Sequence, residues 1–243
     1  MRLLLVSDLH YTLKQLDWVV ARADDYDVVV LAGDHLDAGS FVEPDVQIVV
    51  VLEYLARLAT KATVIASSGN HDLNARNDHG EKSAVWLQRA RELGVHTDGA
   101  RVERDDAIVT VCEWWDGPRS RGAVDEQLRV DAEKVDDRPW IWVYHAPPDE
   151  SPTSWTGTRH YGDADLRAWI AEHQPDLVLC GHVHESPFKT EGGWFDRIGA
   201  TTVLNAGRQR GPLPAHVVVD TADGALTWIS LAGVEHASLA PVA

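Results

Sequence analysis

The sequence predicts an α/β fold, and three observations carry the prediction. Short apolar β-type runs alternate with helical segments through most of the chain, and after Gly181 the apolar segments read as strands alone. Five of the runs, at residues 3–6, 28–32, 63–66, 141–144 and 177–180, lead into polar clusters, four of them directly and one after two serines. Side chains that form ligand sites in open α/β sheets gather at the carboxyl ends of strands in this way.

The elements follow in order. After the first run, residues 13–22 read as a helix because Leu13, Leu16, Val19 and Val20 fall on one face. A strand over 27–32 precedes a helix over 45–59, which Pro44 opens with a backbone angle suited to a first turn. The strand 62–66 runs toward Asn70, and a third helix over 81–93 is expected to end at Gly94. Residues 102–103 and 107–113 look like short strands of a second sheet, followed by a helix over 123–135 and the strand into His145. A helix over 163–173 stops before Pro175, and the run 177–180 leads into Gly181. Strands at 194–198, 201–204, 215–220 and 225–231 complete the chain, separated by Gly, Asp and Pro turns. One domain over residues 1–243 is expected.

Composition bounds the function classes. Hydrophobic residues make up 44% and charged residues 25% of the chain, as in a soluble globular protein. The apolar start is too short for a signal-peptide core and no run reaches membrane-spanning length, so no membrane association and a cytoplasmic location are expected. Cys112 and Cys180 lie in apolar strand-like segments and read as small buried residues rather than a disulfide. A net charge of −16 argues against binding a long nucleic acid, which needs a basic face.

The five polar clusters are Asp8-x-His10, Gly33-Asp34, Gly69-Asn70-His71-Asp72, His145 and Gly181-His182-x-His184. Residues two apart on an extended segment share a face, so Asp8 and His10 can reach one ion. A tight turn at Gly181 can splay His182 and His184 toward neighbouring ions. Imidazole and carboxylate donors without a thiolate favour divalent Mn, Fe, Zn, Ni or Co over a structural cysteine-bound zinc.

This ordered set, spread over residues 3–207, resembles the calcineurin-like metallophosphoesterase superfamily. The resemblance implies a four-layer α/β/β/α sandwich with two mixed sheets and two divalent metal ions at the strand ends. It implies that Asp8, His10 and His184 hold the first ion, that Asp34 bridges, and that Asn70, His145 and His182 complete the second site. His71 is then the residue beside the scissile phosphate, and Asp72 is expected to fix the orientation of its ring. The implied reaction is hydrolysis of a small phosphate ester by a metal-activated hydroxide, without a covalent phosphoenzyme. The Asn-His-Asp cluster and minimal size are similar to class III cyclic nucleotide phosphodiesterases, which favours a small phosphodiester. A phosphomonoesterase or nuclease on the same site, and a non-catalytic metal-binding scaffold, are the alternatives.

Loops over the metals supply the candidate substrate contacts. Trp115, after the strand ending near Glu113, is placed to stack on a flat leaving group, with cover for a core edge as its structural alternative. Arg159 and His160 lie between His145 and the next helix, where a guanidinium or imidazolium can clamp a phosphate oxygen. Arg208, after the turn-forming Asn205 and Gly207, has the same standing. His35 occupies the position after the bridging aspartate that is more often apolar in the family, and Asp37 is placed to hydrogen-bond a ligand histidine.

Overall fold

Two β-sheets face one another across a shared apolar layer, with helices on both outer faces, in a computed structural model that describes residues 1–239. In chain order the elements are β1 (Arg2–Val6), α1 (Leu13–Arg22), β2 (Val28–Ala32), α2 (Pro44–Ala59), β3 (Thr63–Ser67), β4 (Ala75–Arg76), β5 (Lys82–Ser83), α3 (Leu87–Arg91), β6 (His96–Thr97), β7 (Arg101–Glu103), β8 (Ile108–Val111), α4 (Pro118–Ala132), β9 (Trp140–Val143), α5 (Ala164–His173), β10 (Leu177–Cys180), β11 (Phe195–Ile198), β12 (Thr201–Asn205), β13 (His216–Asp220), β14 (Ala225–Ser230) and β15 (Gly233–Ser238). The first sheet has the order β15-β14-β13-β1-β2-β3-β6 and the second β11-β12-β10-β9-β8-β7. Both are mixed: β1 pairs parallel with β2 and antiparallel with β13, while β12 pairs parallel with β10 and antiparallel with β11.

The unbroken apolar runs follow from this layering, because strands covered on both faces have no polar side. In β1, Leu3 and Leu5 face the second sheet while Leu4 and Val6 face the helices, and β2 repeats the division with Val28 and Val30 against Val29 and Leu31. Leu16, Val19 and Val20 of α1 and Ile48, Val51 and Leu55 of α2 cover the first sheet. Val124 and Leu128 of α4 and Leu166, Trp169 and Ile170 of α5 cover the second, against Trp140, Trp142 and Tyr144. The result is the expected α/β/β/α sandwich.

Three elements depart from the sequence reading. The helix expected over 81–93 is reduced to Leu87–Arg91, preceded by the β4–β5 hairpin. Glu81 is drawn out of a helix by a tertiary role: its carboxylate accepts from the backbone N–H groups of Arg119 and Ser120 at 2.8 and 2.7 Å. It thereby caps α4 as an anion at the positive end of a helix, where the first N–H groups lack partners. That helix accordingly begins at Pro118 instead of residue 123. Finally, β15 extends the first sheet beyond β14 through backbone pairing, although its side chains are largely exposed. Among the described residues, no helix is long and apolar enough to cross a membrane.

Candidate metal centre

The parallel strands β1, β2 and β3 end together, and the ends of β9 and β10 in the second sheet meet them across the sandwich. Two glycines set how closely the sheets approach. A Cβ at Gly33 would lie 2.3 Å from Nδ1 of His145, and one at Gly181 would lie 2.4 Å from Oδ2 of Asp8. The chain then turns sharply: Asp8, His10, Asp34 and His182 all have positive φ, between 41° and 65°. Non-glycine residues rarely adopt this conformation, which costs about 1–3 kcal/mol each and concentrates at functional sites.

The predicted ligands converge in two groups that share Asp34. In the first, Nε2 of His10 lies 3.1 Å from Nε2 of His184. Asp8 Oδ1 is 3.2 Å from the same His184 nitrogen, and Asp34 Oδ2 is 3.5 Å from that of His10. In the second, Asp34 Oδ2 is 3.2 Å from Nε2 of His145. Asp34, His145 and His182 each offer a ligand atom within 4.8 Å of the others. The other Asp34 oxygen accepts from the backbone N–H of His71 at 2.8 Å, which ties the Asn70–Asp72 turn to the bridging carboxylate.

The electrostatics are those of a cation site. Burial alone would lower the His145 imidazole, but Asp34, Asp8 and the Ala32 carbonyl outweigh it and raise the ring to about 9. Burial would raise Asp34; His145 and His10 hold it well below the ordinary carboxylate range instead. Burial lowers His10 and His182 to about 4, leaving both rings neutral and available as donors. His145 Nδ1 can only donate to the Ala32 carbonyl, 2.7 Å away, so Nε2 is the nitrogen directed at Asp34. That Nε2 atom and Oδ1 of Asn70 are buried without a hydrogen-bond partner. Two facing imidazole nitrogens, two buried carboxylates and orphaned donor atoms fit a pair of divalent ions.

The neighbouring residues are arranged differently from the sequence reading. Asp72 makes no hydrogen bond to His71. Its carboxylate accepts from Nδ1 of His35 at 2.9 Å and from the backbone N–H groups of His35, Leu36 and Gly69. The cause is a crossing of two turns: the segment after Asp34 passes over the base of the Gly69–Asp72 turn, so Asp72 points inward and His71 outward. His71 stays at the rim, partly exposed, with Nε2 4.0 Å from Asp34 Oδ2. Asp37 offers its carboxylate beside His10 and His71.

Trp115 is not a rim residue. Its indole lies 4.1 Å from the Tyr144 ring at an interplanar angle of 4°, within the layer under α5. Trp114 is the aromatic that reaches the centre, with its ring 5.6 Å from His145 and 5.2 Å from His182. His160 hydrogen-bonds through Nδ1 to Ser154 Oγ and the Ser151 carbonyl, so that nitrogen holds its own loop. Arg159 lies over Tyr161, which in turn stacks on His182 at 5.1 Å. Trp114 and Tyr161 are therefore the contacts that residue type alone did not single out.

Asp98 supports the same turn from behind by accepting from the Ser68 backbone N–H at 2.8 Å. Burial, reinforced by Glu113, raises its carboxyl to about 7. Between its unfolded value and about 7 the folded state holds the extra proton, so this residue's contribution to stability falls as pH rises through that window. Asp98→Asn keeps an acceptor and removes the charge. Its melting temperature relative to wild type is expected to rise more at about pH 8 than at about pH 5. Thermal melts at both values check this, and a shift independent of pH would count against it.

The chain belongs to the calcineurin-like phosphoesterase family, whose model matches residues 1–186. It is thus a metallophosphoesterase, of the class that hydrolyses phosphoesters with bound metal. A dimetal phosphatase from Danio rerio shares the fold with a TM-score of 0.65, at 10% identity over 100% of this chain and 99% of its own. A protein from Thermus thermophilus is similar with a TM-score of 0.62, at 16% identity over 98% of both chains. A purple acid phosphatase from yellow lupin (Lupinus luteus) seeds has a TM-score of 0.52, at 12% identity over 99% of this chain and 52% of that one. No curated protein matches the sequence.

Proposed function

We propose that this protein hydrolyses a small phosphodiester at a centre of two divalent ions. Asp8, His10, Asp34 and His184 would hold one ion, and Asp34, Asn70, His145 and His182 the other. The observation that carries this reading is the position of Asp34, whose Oδ2 faces His10 at 3.5 Å on one side and His145 at 3.2 Å on the other. When bound, such ions supply positive charge to the phosphoryl oxygens and lower the pKa of water toward ~7.

The chain's own residues supply the rest. The strained turns at Asp8, Asp34 and His182 fix the donors before substrate arrives, which removes reorganisation from the reaction. His145, held by the Ala32 carbonyl, keeps one ring face directed inward. His71 is partly exposed at the rim and has a buried Nδ1 with no hydrogen-bond partner. It carries the proton that the leaving oxygen needs. Trp114 and Tyr161 flank His182 and give the centre an aromatic wall against a flat or apolar ester group.

The Asn-His-Asp turn and a net charge of −16, which disfavours a long polyanion, support a small diester. The test compares bis-p-nitrophenyl phosphate with p-nitrophenyl phosphate as substrates of wild type loaded with Mn²⁺. A higher kcat/KM for the diester is expected. Preference for the monoester would replace the proposal with a phosphatase, and hydrolysis of neither by metal-loaded protein would favour a binding scaffold.

A further inference from the structure

We propose that the groove beside His184 is an anion subsite, and that the substrate is a small phosphodiester carrying a second phosphoryl group. This rests on the phosphodiesterase reading above and names the substrate class of the same site. The groove has a volume of about 310 Å³, and Phe188, Lys189, Arg208 and Arg210 line it together with His184. Three cations thus converge on the flank of the proposed metal centre, with Glu185 as the one carboxylate in the lining.

The convergence is unusual for this chain, which has 38 acidic residues against 22 basic ones. Some cations elsewhere are held by carboxylates, as Arg101, Arg121, Arg129 and Arg138 are at 2.7 to 3.0 Å, whereas in the groove three gather around a single carboxylate that pairs with none of them. The side chains of Lys189, Arg208 and Arg210 make no hydrogen bond or ion pair with any described residue. Three unpaired cations repel one another, and an anion between them relieves that repulsion. Two guanidinium forks and an ammonium suit a phosphate, since each fork can present two parallel donors to its oxygens.

The groove is also built in place. The Arg208 backbone N–H donates to the His184 carbonyl at 3.1 Å, which fixes the arginine directly beside a proposed ligand. Before it, Gly207 has a φ of +68°, and a Cβ there would meet Pro187 at 2.6 Å. Buried Asn205 locks the two turns together: its amide donates to Val183 and Thr153 carbonyls and to Ser186 Oγ, while Oδ1 accepts from the Gly207 N–H. An ester whose scissile phosphate sits between Asp8 and Asp34 would therefore extend a second phosphate toward Arg208.

The test uses two matched chromogenic diesters: the p-nitrophenyl ester of thymidylate, with and without a second phosphate on the free sugar hydroxyl. Metal-loaded wild type is expected to prefer the doubly phosphorylated ester by about tenfold or more in kcat/KM, the size of one or two charge-assisted hydrogen bonds. Arg208→Ala and the Lys189→Ala/Arg210→Ala pair should each reduce that ratio toward one, and Arg208→Lys should keep part of it. Calorimetry of thymidine bisphosphate against thymidine monophosphate provides a readout that needs no turnover, with the same order of preference lost in the same variants. Equal handling of the two esters by wild type, or a preference that survives all the substitutions, would overturn the subsite. If bis-p-nitrophenyl phosphate is still hydrolysed in that case, the phosphodiesterase reading stands without it. If nothing is hydrolysed yet the bisphosphate preference appears and vanishes with Arg208, the reaction assignment fails and the anion site survives.

Discussion

Asp34→Asn is expected to leave the purified protein with less than one bound metal ion, and His71→Ala to leave its metal content near that of wild type. Both should be nearly inactive, for separate reasons. Asp34 Oδ2 is the atom common to both ligand groups, so an amide there removes the negative charge on which both proposed ions depend. The asparagine retains a carbonyl for the His71 backbone N–H and tolerates the positive φ of this position, so the turn itself should persist. His71, in contrast, stands at the rim, with Nε2 4.0 Å from Asp34. Loss of a proton donor lowers rates by about 10²–10⁴. Metal analysis beside turnover of bis-p-nitrophenyl phosphate separates the two. Parallel loss of metal in both variants would make His71 a ligand and remove it from proton transfer.

The gathering of the polar clusters at one end of the sandwich was legible in the sequence because it depends on strand geometry, whereas the division between ligand and rim was what the family resemblance implied. Once residues 3–6, 28–32 and 177–180 are read as buried strands, their polar successors must emerge at one end of the sandwich. The four-layer order followed from the family resemblance and agrees with the two apolar faces of β1 and β2. What failed to show in the sequence depends on contacts between distant segments. Glu81 looks helical locally and serves instead as the anionic cap of a helix more than thirty residues later. β15 has an exposed, weakly apolar sequence and is recognisable only through its pairing with β14. The choice between Trp114 and Trp115 turns on which way the chain faces after β8 ends at Val111, and neighbouring residues there point to opposite sides. The basic groove is assembled from Lys189 and the Arg208–Arg210 segment, which come together only when Asn205 ties their turns.

The role of Asp72 is the largest departure, and it leads to the second strong expectation: Asp72→Ala should destabilise the fold severely, whereas alanine at the adjacent His71 should barely change the melting temperature. Asp72 is fully buried and accepts from three backbone N–H groups and from His35 Nδ1. Alanine would strand all four donors in a dry interior, and loss of such a hub costs on the order of 3–5 kcal/mol. The damage would be local to function as well, since the donors belong to the two turns that carry Asp34 and Asn70. A milder variant isolates the ring: His35→Asn retains a donor near the position of Nδ1 and should recover much of the stability that His35→Ala loses. Denaturant unfolding of the four variants, with a common slope, gives the comparison. If Asp72→Ala unfolds at the wild-type midpoint, or if His71→Ala proves as unstable as Asp72→Ala, the carboxylate does not hold the two turns together. In that case its role would revert to orienting His71, the arrangement that the motif suggests when read without its distant partner.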